Sequence, residues 1–79
     1  MRFRSFDSLN IFRTVAEKMS FTAASEALNM SKGAVSYQIA KLEDELGVLL
    51  FDRSRQPVVP TAIGEKIIAQ ARRILKESG

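Results

Sequence analysis

The chain has 79 residues, of which 46% are hydrophobic and 27% are charged, a length and composition typical of one small globular domain. Its 12 Lys and Arg residues outnumber its 9 Asp and Glu residues, and the net charge of +3 fits the binding of a polyanion without requiring it. The sequence contains neither Cys nor His, which excludes disulfides, thiolate or imidazole metal sites, and Cys/His or Ser/His catalysis, so we expect no metal and no cofactor here.

The first part of the chain predicts two helices and a tight turn. Apolar residues recur at spacings of three and four over residues 6–19, which indicates an amphipathic helix. Ser20 is suited to cap a second, short helix over residues 21–28. Asn29 adopts the left-handed backbone conformation at low cost, so we expect a turn there, followed by a new helix that Ser31 caps.

A third helix is predicted over residues 32–46, with Gly47 as its stop. Its buried face is expected to hold Val35, Ile39, Leu42 and Leu46. Its outer face carries small, hydrogen-bonding and basic residues and no carboxylate: Lys32, Gly33, Ser36, Tyr37, Ala40 and Lys41. Acidic residues 43–45 follow only in the last turns. If this helix meets phosphates, its N-terminal half is therefore the part that approaches them.

A hairpin and a last helix are predicted after Gly47. Two β-prone runs, residues 48–51 and 58–59, flank a polar and basic tip, which indicates a small wing. Thr61 is suited to cap a helix over residues 62–77. Its apolar residues could complete the domain core, but they form a stripe wider than one neighbouring helix can cover. A second copy of the chain is the simplest partner, so we predict a homodimer interface at Ile63, Ile67, Ile68, Ala71, Ile74 and Leu75.

This order of elements is that of a winged helix-turn-helix, a mainly α fold with a three-helix core, a small β-hairpin wing and a long C-terminal helix. We assign residues 1–60 to the winged domain, with the helix-turn-helix at residues 21–41 and the wing at residues 48–60, and residues 61–79 to a linker and dimerisation helix. The major groove of B-DNA admits one α-helix. The third helix is therefore predicted to enter the major groove of double-stranded DNA.

Matches to a known family run through nearly the whole chain without a gap. They comprise residues 20–28, Ser31, residues 34–39, Leu42, Glu43, residues 45–47, Leu50, Phe51, Arg53, Thr61 and Gly64. In these residues the chain resembles the LysR-type transcriptional regulators. The resemblance implies the N-terminal domain of a longer bacterial regulator that acts as a homodimer on an inverted-repeat operator. It also implies a C-terminal effector-binding domain, absent here, that would take a small molecule.

The resemblance also implies which residues contact DNA: Thr22, Ser31, Lys32, Gly33, Ser36, Tyr37, Gln38, Lys41, Arg53, Arg55 and Gln56. The chain departs from the family at Lys32, Gly33 and Tyr37, where Gln, Pro and either Arg or His are frequent, so base preference does not carry over. In the wing, the Arg that often precedes the Pro is Gln56, with Arg55 one place earlier. Whether Arg53 or Arg55 reaches the minor groove stays open, and Arg53 is equally suited to a local ion pair that shapes the wing.

Two other functions fit the sequence less well than DNA binding. A protein-interaction module on the same scaffold would favour an acidic or apolar outer face on the third helix, which the sequence does not have. An enzyme is disfavoured because no Gly-rich phosphate loop or paired nucleophile and base is recognisable.

Phe6 and Ile11 are either additional dimer contacts or isolated surface residues. No apolar run approaches the length of a membrane span and no secretory signal is recognisable, so we expect a cytoplasmic protein with no membrane contact.

Overall fold

The computed structural model describes residues 2–54 and 57–78, and the side chains of residues 8–54 and 57–73. In this part of the chain the elements follow in the order α1 (Arg2–Lys18), α2 (Phe21–Leu28), α3 (Lys32–Leu46), β1 (Phe51–Asp52), β2 (Val59–Pro60) and α4 (Ala62–Ser78). The two strands pair antiparallel, with Phe51 opposite Pro60 and Asp52 opposite Val59. The predicted fold class, a mainly helical chain with a small hairpin wing, is confirmed.

The helix ends follow the local sequence. Ser20, Ser31 and Thr61 each accept a hydrogen bond through the side-chain oxygen from the backbone N–H three residues later, at 3.0 or 3.1 Å. Asn29 ends α2 with a φ of 57°, and Gly47 ends α3 with a φ of 72°, both in the left-handed region. All three predicted N-caps and both predicted stops are therefore confirmed, because each depends on residues close together in the chain.

The predicted bounds of the first helix and of both strands were wrong, the second strand running over Val59–Pro60 instead of residues 58–59. Helix α1 begins at Arg2 rather than Phe6 and ends at Lys18, since Met19 has a φ of 55° and starts the turn. The first strand begins at Phe51, whereas the sequence placed it from Val48. The backbone N–H of Leu50 donates to a carboxylate oxygen of Glu43 at 2.8 Å, so this residue is held by a side chain of α3 before the strand pairing starts.

The core lies where α1, α3 and the wing root, residues 49–53, meet. Its largest fully buried side chains are Phe12, Ile39, Leu50, Val15 and Val35. The ring of Phe51 makes edge-to-face contacts with Phe12 and Phe21, at centroid distances of 5.4 and 6.1 Å. Ile11 also belongs to the core, so both interpretations of it as a surface residue were wrong. Leu46 was expected to be buried and is instead 46% exposed.

Helix α4 packs its inner side onto this core. Ile68 and Ala71 are buried, and Gly64 lies so close to the carbonyl oxygen of Leu50 that a Cβ atom would collide with it. Two of the predicted dimer contacts, Ile68 and Ala71, are therefore corrected, because their side chains are covered by their own chain. Ile63 is 41% exposed and Ile67 is partly buried. The side chains of Ile74 and Leu75 lie outside the described residues.

Candidate nucleic-acid interface

The outer face of α3 is exposed as the sequence predicts. Lys32, Gly33, Tyr37, Ala40 and Lys41 are exposed and Ser36 is partly buried. On the opposite side of the same helix, Val35 and Ile39 have no exposed surface. Tyr37 is 63% exposed, an unusual position for an aromatic ring. One side of α3 thus fixes the helix to the core and the other presents its side chains outward.

Helix α2 and the turn after it set the position of α3. Phe21 and Ala24 of α2 are buried, which anchors that helix, while Thr22 is exposed at its N-terminal end. The backbone N–H groups of Asn29 and Met30 donate to carbonyls of α2, at 3.3 and 2.9 Å, and close the turn. The other two predicted contact residues of this region, Ser31 and Gln38, are exposed and partly buried respectively. All the predicted contact residues from Thr22 to Lys41 therefore have surface to offer a ligand.

Gly33 lies in the first turn of α3 without any packing reason to be glycine. A Cβ atom there would meet nothing within 4 Å. Glycine lowers the stability of a helix relative to alanine, and no contact in the described part of the chain offsets that cost. The first turn of a helix also leaves backbone N–H groups without helical partners. Ser31 already accepts the N–H of Ala34, so the missing side chain at Gly33 and the other N–H groups of this turn are what a close anionic ligand can approach.

The wing root holds Arg53 in contacts within the chain. Its guanidinium carbon lies 4.7 Å from the centroid of the Phe21 ring, and its Nη2 lies 3.5 Å from Oε1 of Glu43. The side chain of Glu43 is only 11% exposed, and its Oε2 accepts the Leu50 N–H. The local ion pair, one of the two roles left open for Arg53, is thus present. The sequence predicted no role for Glu43, although it is one of the positions that match the family as well as one of three consecutive acidic residues.

The wing tip is only partly described. Ser54 donates through its backbone N–H to Oδ1 of Asp52 at 3.0 Å and also through its hydroxyl, which shapes the turn after β1. The next two predicted contact residues, Arg55 and Gln56, lie outside the described residues. Their assignment to DNA therefore stays a prediction from the sequence.

Charge on α3 is divided along its length. Lys32 and Lys41 are exposed on the outer face, whereas the exposed carboxylates Asp44 and Glu45 lie in the last turns. Among residues 2–54 and 57–78, no group of acidic side chains is arranged to hold a metal ion. None of the helices described is both long and apolar enough to span a lipid bilayer. The candidate site is thus one face of α3 whose N-terminal part carries basic residues and whose last turns carry acidic ones.

Comparison with protein families and known sequences places these features in a group. The model for the bacterial regulatory helix-turn-helix proteins of the lysR family matches residues 6–65. The chain is 46% identical over 68 residues to LrrA of Synechococcus elongatus, a probable HTH-type transcriptional regulator, covering 86% of this chain and 23% of that one. It is 41% identical over 70 residues to a RuBisCO operon transcriptional regulator of Allochromatium vinosum, covering 89% and 23%.

Solved structures of the same kind share the fold. The crystal structure of the BenM DNA-binding domain in complex with catB site 1 DNA superposes with a TM-score of 0.91 at 34% identity, covering 92% of this chain and 78% of that one. The chain spans about a quarter of the length of the curated relatives named above, at 23% of each. The similarity to them therefore concerns the winged helix-turn-helix and part of the helix that follows it.

Proposed function

The chain belongs to the lysR family of bacterial regulatory helix-turn-helix proteins, and from this premise we propose how it binds DNA and how it pairs. Its relatives are named as transcriptional regulators, and the chain is the DNA-binding domain of such a regulator rather than an enzyme. The observation that carries the proposal is the outer face of α3 over residues 32–41, which is exposed except for the partly buried Ser36, free of carboxylates and backed by a buried side. The BenM domain, which has this fold, was crystallised in complex with catB site 1 DNA.

In the proposed complex, the N-terminal half of α3 lies in the major groove. Lys32 can donate hydrogen bonds to guanine O6 and N7, and Ser36 and Tyr37 can bond to base edges or pack against them. Thr22, Ser31 and Lys41 flank these residues and are suited to phosphates, which fix the register of the protein on the duplex. Gln38 has less free surface, so its contact depends on a side-chain rearrangement. Arg55 and Gln56 are proposed as wing contacts on the sequence resemblance alone.

The domain is also proposed to act as a homodimer through α4. Among the described side chains of α4, burial of Ile68 and Ala71 leaves Ile63 and the partly buried Ile67 as the large apolar side chains that a second copy can cover. A two-fold dimer would place two copies of α3 on the two halves of an inverted repeat. The small-molecule effector, for its part, would bind the portion of the longer relatives that this chain does not span. The regulator itself would act in the bacterial cytoplasm.

Selection of bound sequences from a pool of random duplex DNA tests the proposal directly. We expect enrichment of an inverted repeat whose half-sites have a fixed spacing, and an affinity for that duplex that falls steeply with salt. A single enriched half-site would contradict the dimer but not DNA binding. Enrichment of no sequence, together with an affinity insensitive to salt, would contradict the function itself.

A further inference from the structure

The carboxylate of Glu43 joins α3 to the start of the wing. Its Oε2 accepts the backbone N–H of Leu50 at 2.8 Å, and its Oε1 lies 3.5 Å from the guanidinium of Arg53. Leu50 directly precedes β1, and Arg53 directly follows it. Both oxygens of one side chain on α3 are therefore engaged by residues on the two sides of the strand.

The other contacts of this region hold the same segment from α2 and α4. The Arg53 guanidinium covers the ring of Phe21, the first residue of α2, at 4.7 Å. Thr61, which caps α4, donates its hydroxyl to the carbonyl of Leu49 at 2.7 Å and its N–H to the carbonyl of Leu50 at 2.9 Å. The wing root is thereby tied to three helices, and the carboxylate of Glu43 adds two polar contacts to the packing of Leu50 and Phe51 in the core that includes α3.

Removing a partner from this cluster is costly. The Glu43 side chain is 11% exposed and the Arg53 side chain 41%. A carboxylate this far removed from water needs a hydrogen-bond donor and a cation to offset its lost hydration. An Arg that serves this carboxylate and stacks on an aromatic ring has lost much of its freedom to reach a phosphate.

We propose that Glu43 and Arg53 are positioning residues that fix the wing against α3, so that the two elements meet one duplex in a defined relation. Arg53 acts through Glu43 and Phe21 and does not contact DNA itself. This inference rests on the proposed function, and it replaces the direct DNA contact that the family resemblance implies for Arg53. A carboxylate that supports DNA binding is its distinguishing feature, since a negative charge near DNA otherwise weakens the complex.

Salt-dependent affinity of the Glu43→Gln and Arg53→Gln variants tests the proposal. Measured on the duplex selected by the wild-type chain, each variant should bind about ten-fold more weakly, and the double variant no more weakly than either, because the residues act as one unit. The dependence of log affinity on log salt should keep its wild-type slope. Arg53→Lys, which keeps the charge, should recover part of the loss. Non-specific binding to an unrelated duplex should change little.

A direct phosphate contact by Arg53 gives the opposite pattern. Arg53→Gln would then lower the salt slope by about one and weaken all duplexes alike, while Glu43→Gln would strengthen binding by removing a negative charge. Glu45→Gln is the matched control: it makes the same change at an exposed position of the same helix, and we expect it to bind as well as the wild type or slightly better.

The outcomes separate this inference from the proposed function. A wild-type chain that binds no duplex contradicts the function, whereas a wild-type chain that binds while Glu43→Gln behaves like Glu45→Gln contradicts the positioning role. Thermal melting shows whether each variant is folded at the assay temperature. If Glu43→Gln does not fold, the Arg53→Lys and Arg53→Gln pair decides: an unchanged salt slope with weaker specific binding supports the role, and a lower slope overturns it.

Discussion

Replacing Gly33 by Ala should make the domain more stable and its complex with DNA weaker. A Cβ atom at this position meets nothing within 4 Å, so the free chain has room for it. Ala is favoured over Gly inside a helix by up to about 1 kcal/mol. For a domain of this size that corresponds to a rise in the melting temperature of roughly 4–8 °C, and less in a first turn, where fewer residues are fixed.

The effect on binding has a different origin. In the proposed complex, the first turn of α3 comes close enough to the duplex for its backbone N–H groups to meet phosphates. A methyl group at Gly33 would separate the two surfaces, and we expect affinity for the selected duplex to fall at least ten-fold, which is about 1.4 kcal/mol. Thermal melting and fluorescence anisotropy of a labelled duplex measure the two effects on the same preparation.

Ala27→Gly serves as the control, because it exchanges the same two residue types in the reverse direction at an exposed position of α2 outside the predicted contacts. It should lower the melting temperature and leave the affinity unchanged well below that temperature. The reasoning fails if Gly33→Ala binds as tightly as the wild type, since the backbone at Gly33 then does not approach DNA. A Gly33→Ala variant that is less stable than the wild type would contradict the stability prediction, because the space at this position would then be occupied.

Four further substitutions test the fold and the site. Met19→Gly should raise the free energy of unfolding by about 0.5–1 kcal/mol in a denaturant titration, because Met19 has a φ of 55° and glycine removes the cost of that conformation, whereas Met19→Ala should give no gain. Gly64→Ala should lower the free energy of unfolding by about 1–3 kcal/mol, because the new Cβ would collide with the backbone of Leu50. An unchanged melting curve would mean that α4 does not pack this closely. Tyr37→Ala should change the sequences enriched from random duplexes more than it changes the salt slope, and an identical set of sequences would remove Tyr37 from base recognition. Ile63→Glu should shift sedimentation towards the monomer without lowering the melting temperature, because Ile63 is 41% exposed; a dimer that persists would place the contact elsewhere.

The features that the sequence predicted well are those set by short-range interactions. A Ser or Thr that accepts an N–H three residues later, and an Asn or Gly in the left-handed region, act within one turn of a helix, so the bounds of α2 and α3 follow from the sequence. The two sides of α3 follow equally from the spacing of its apolar residues. This periodicity does not say what the outer face binds, and here the family resemblance supplied the interpretation.

The features that the sequence did not predict depend on contacts between distant elements. Periodicity could not tell whether Ile11 faces the core or the solvent, because a neighbouring element decides this. Glu43 lies on α3 and Arg53 lies ten positions later, directly after β1, and nothing in their local sequence marks them as a pair. The start of β1 was misplaced for the same reason: Leu50 is held by the side chain of Glu43 on α3, and Leu49 by that of Thr61 just before α4, instead of by a partner strand.

The wide apolar stripe of α4 consists of two rows of residues with different roles. Gly64, Ile68 and Ala71 are spaced by four and three residues and fix the helix to the core, whereas Ile63 begins a second row one position earlier, on a different side of the same cylinder. Because Ile68 of the inner row belongs to the same core cluster as Val35 and Ile39 of α3, the orientations of the two helices are linked. A partner bound on the outer row would therefore set the separation between the two copies of α3. On this reasoning, the half-site spacing found by selection is a direct measurement of how two α4 helices pair.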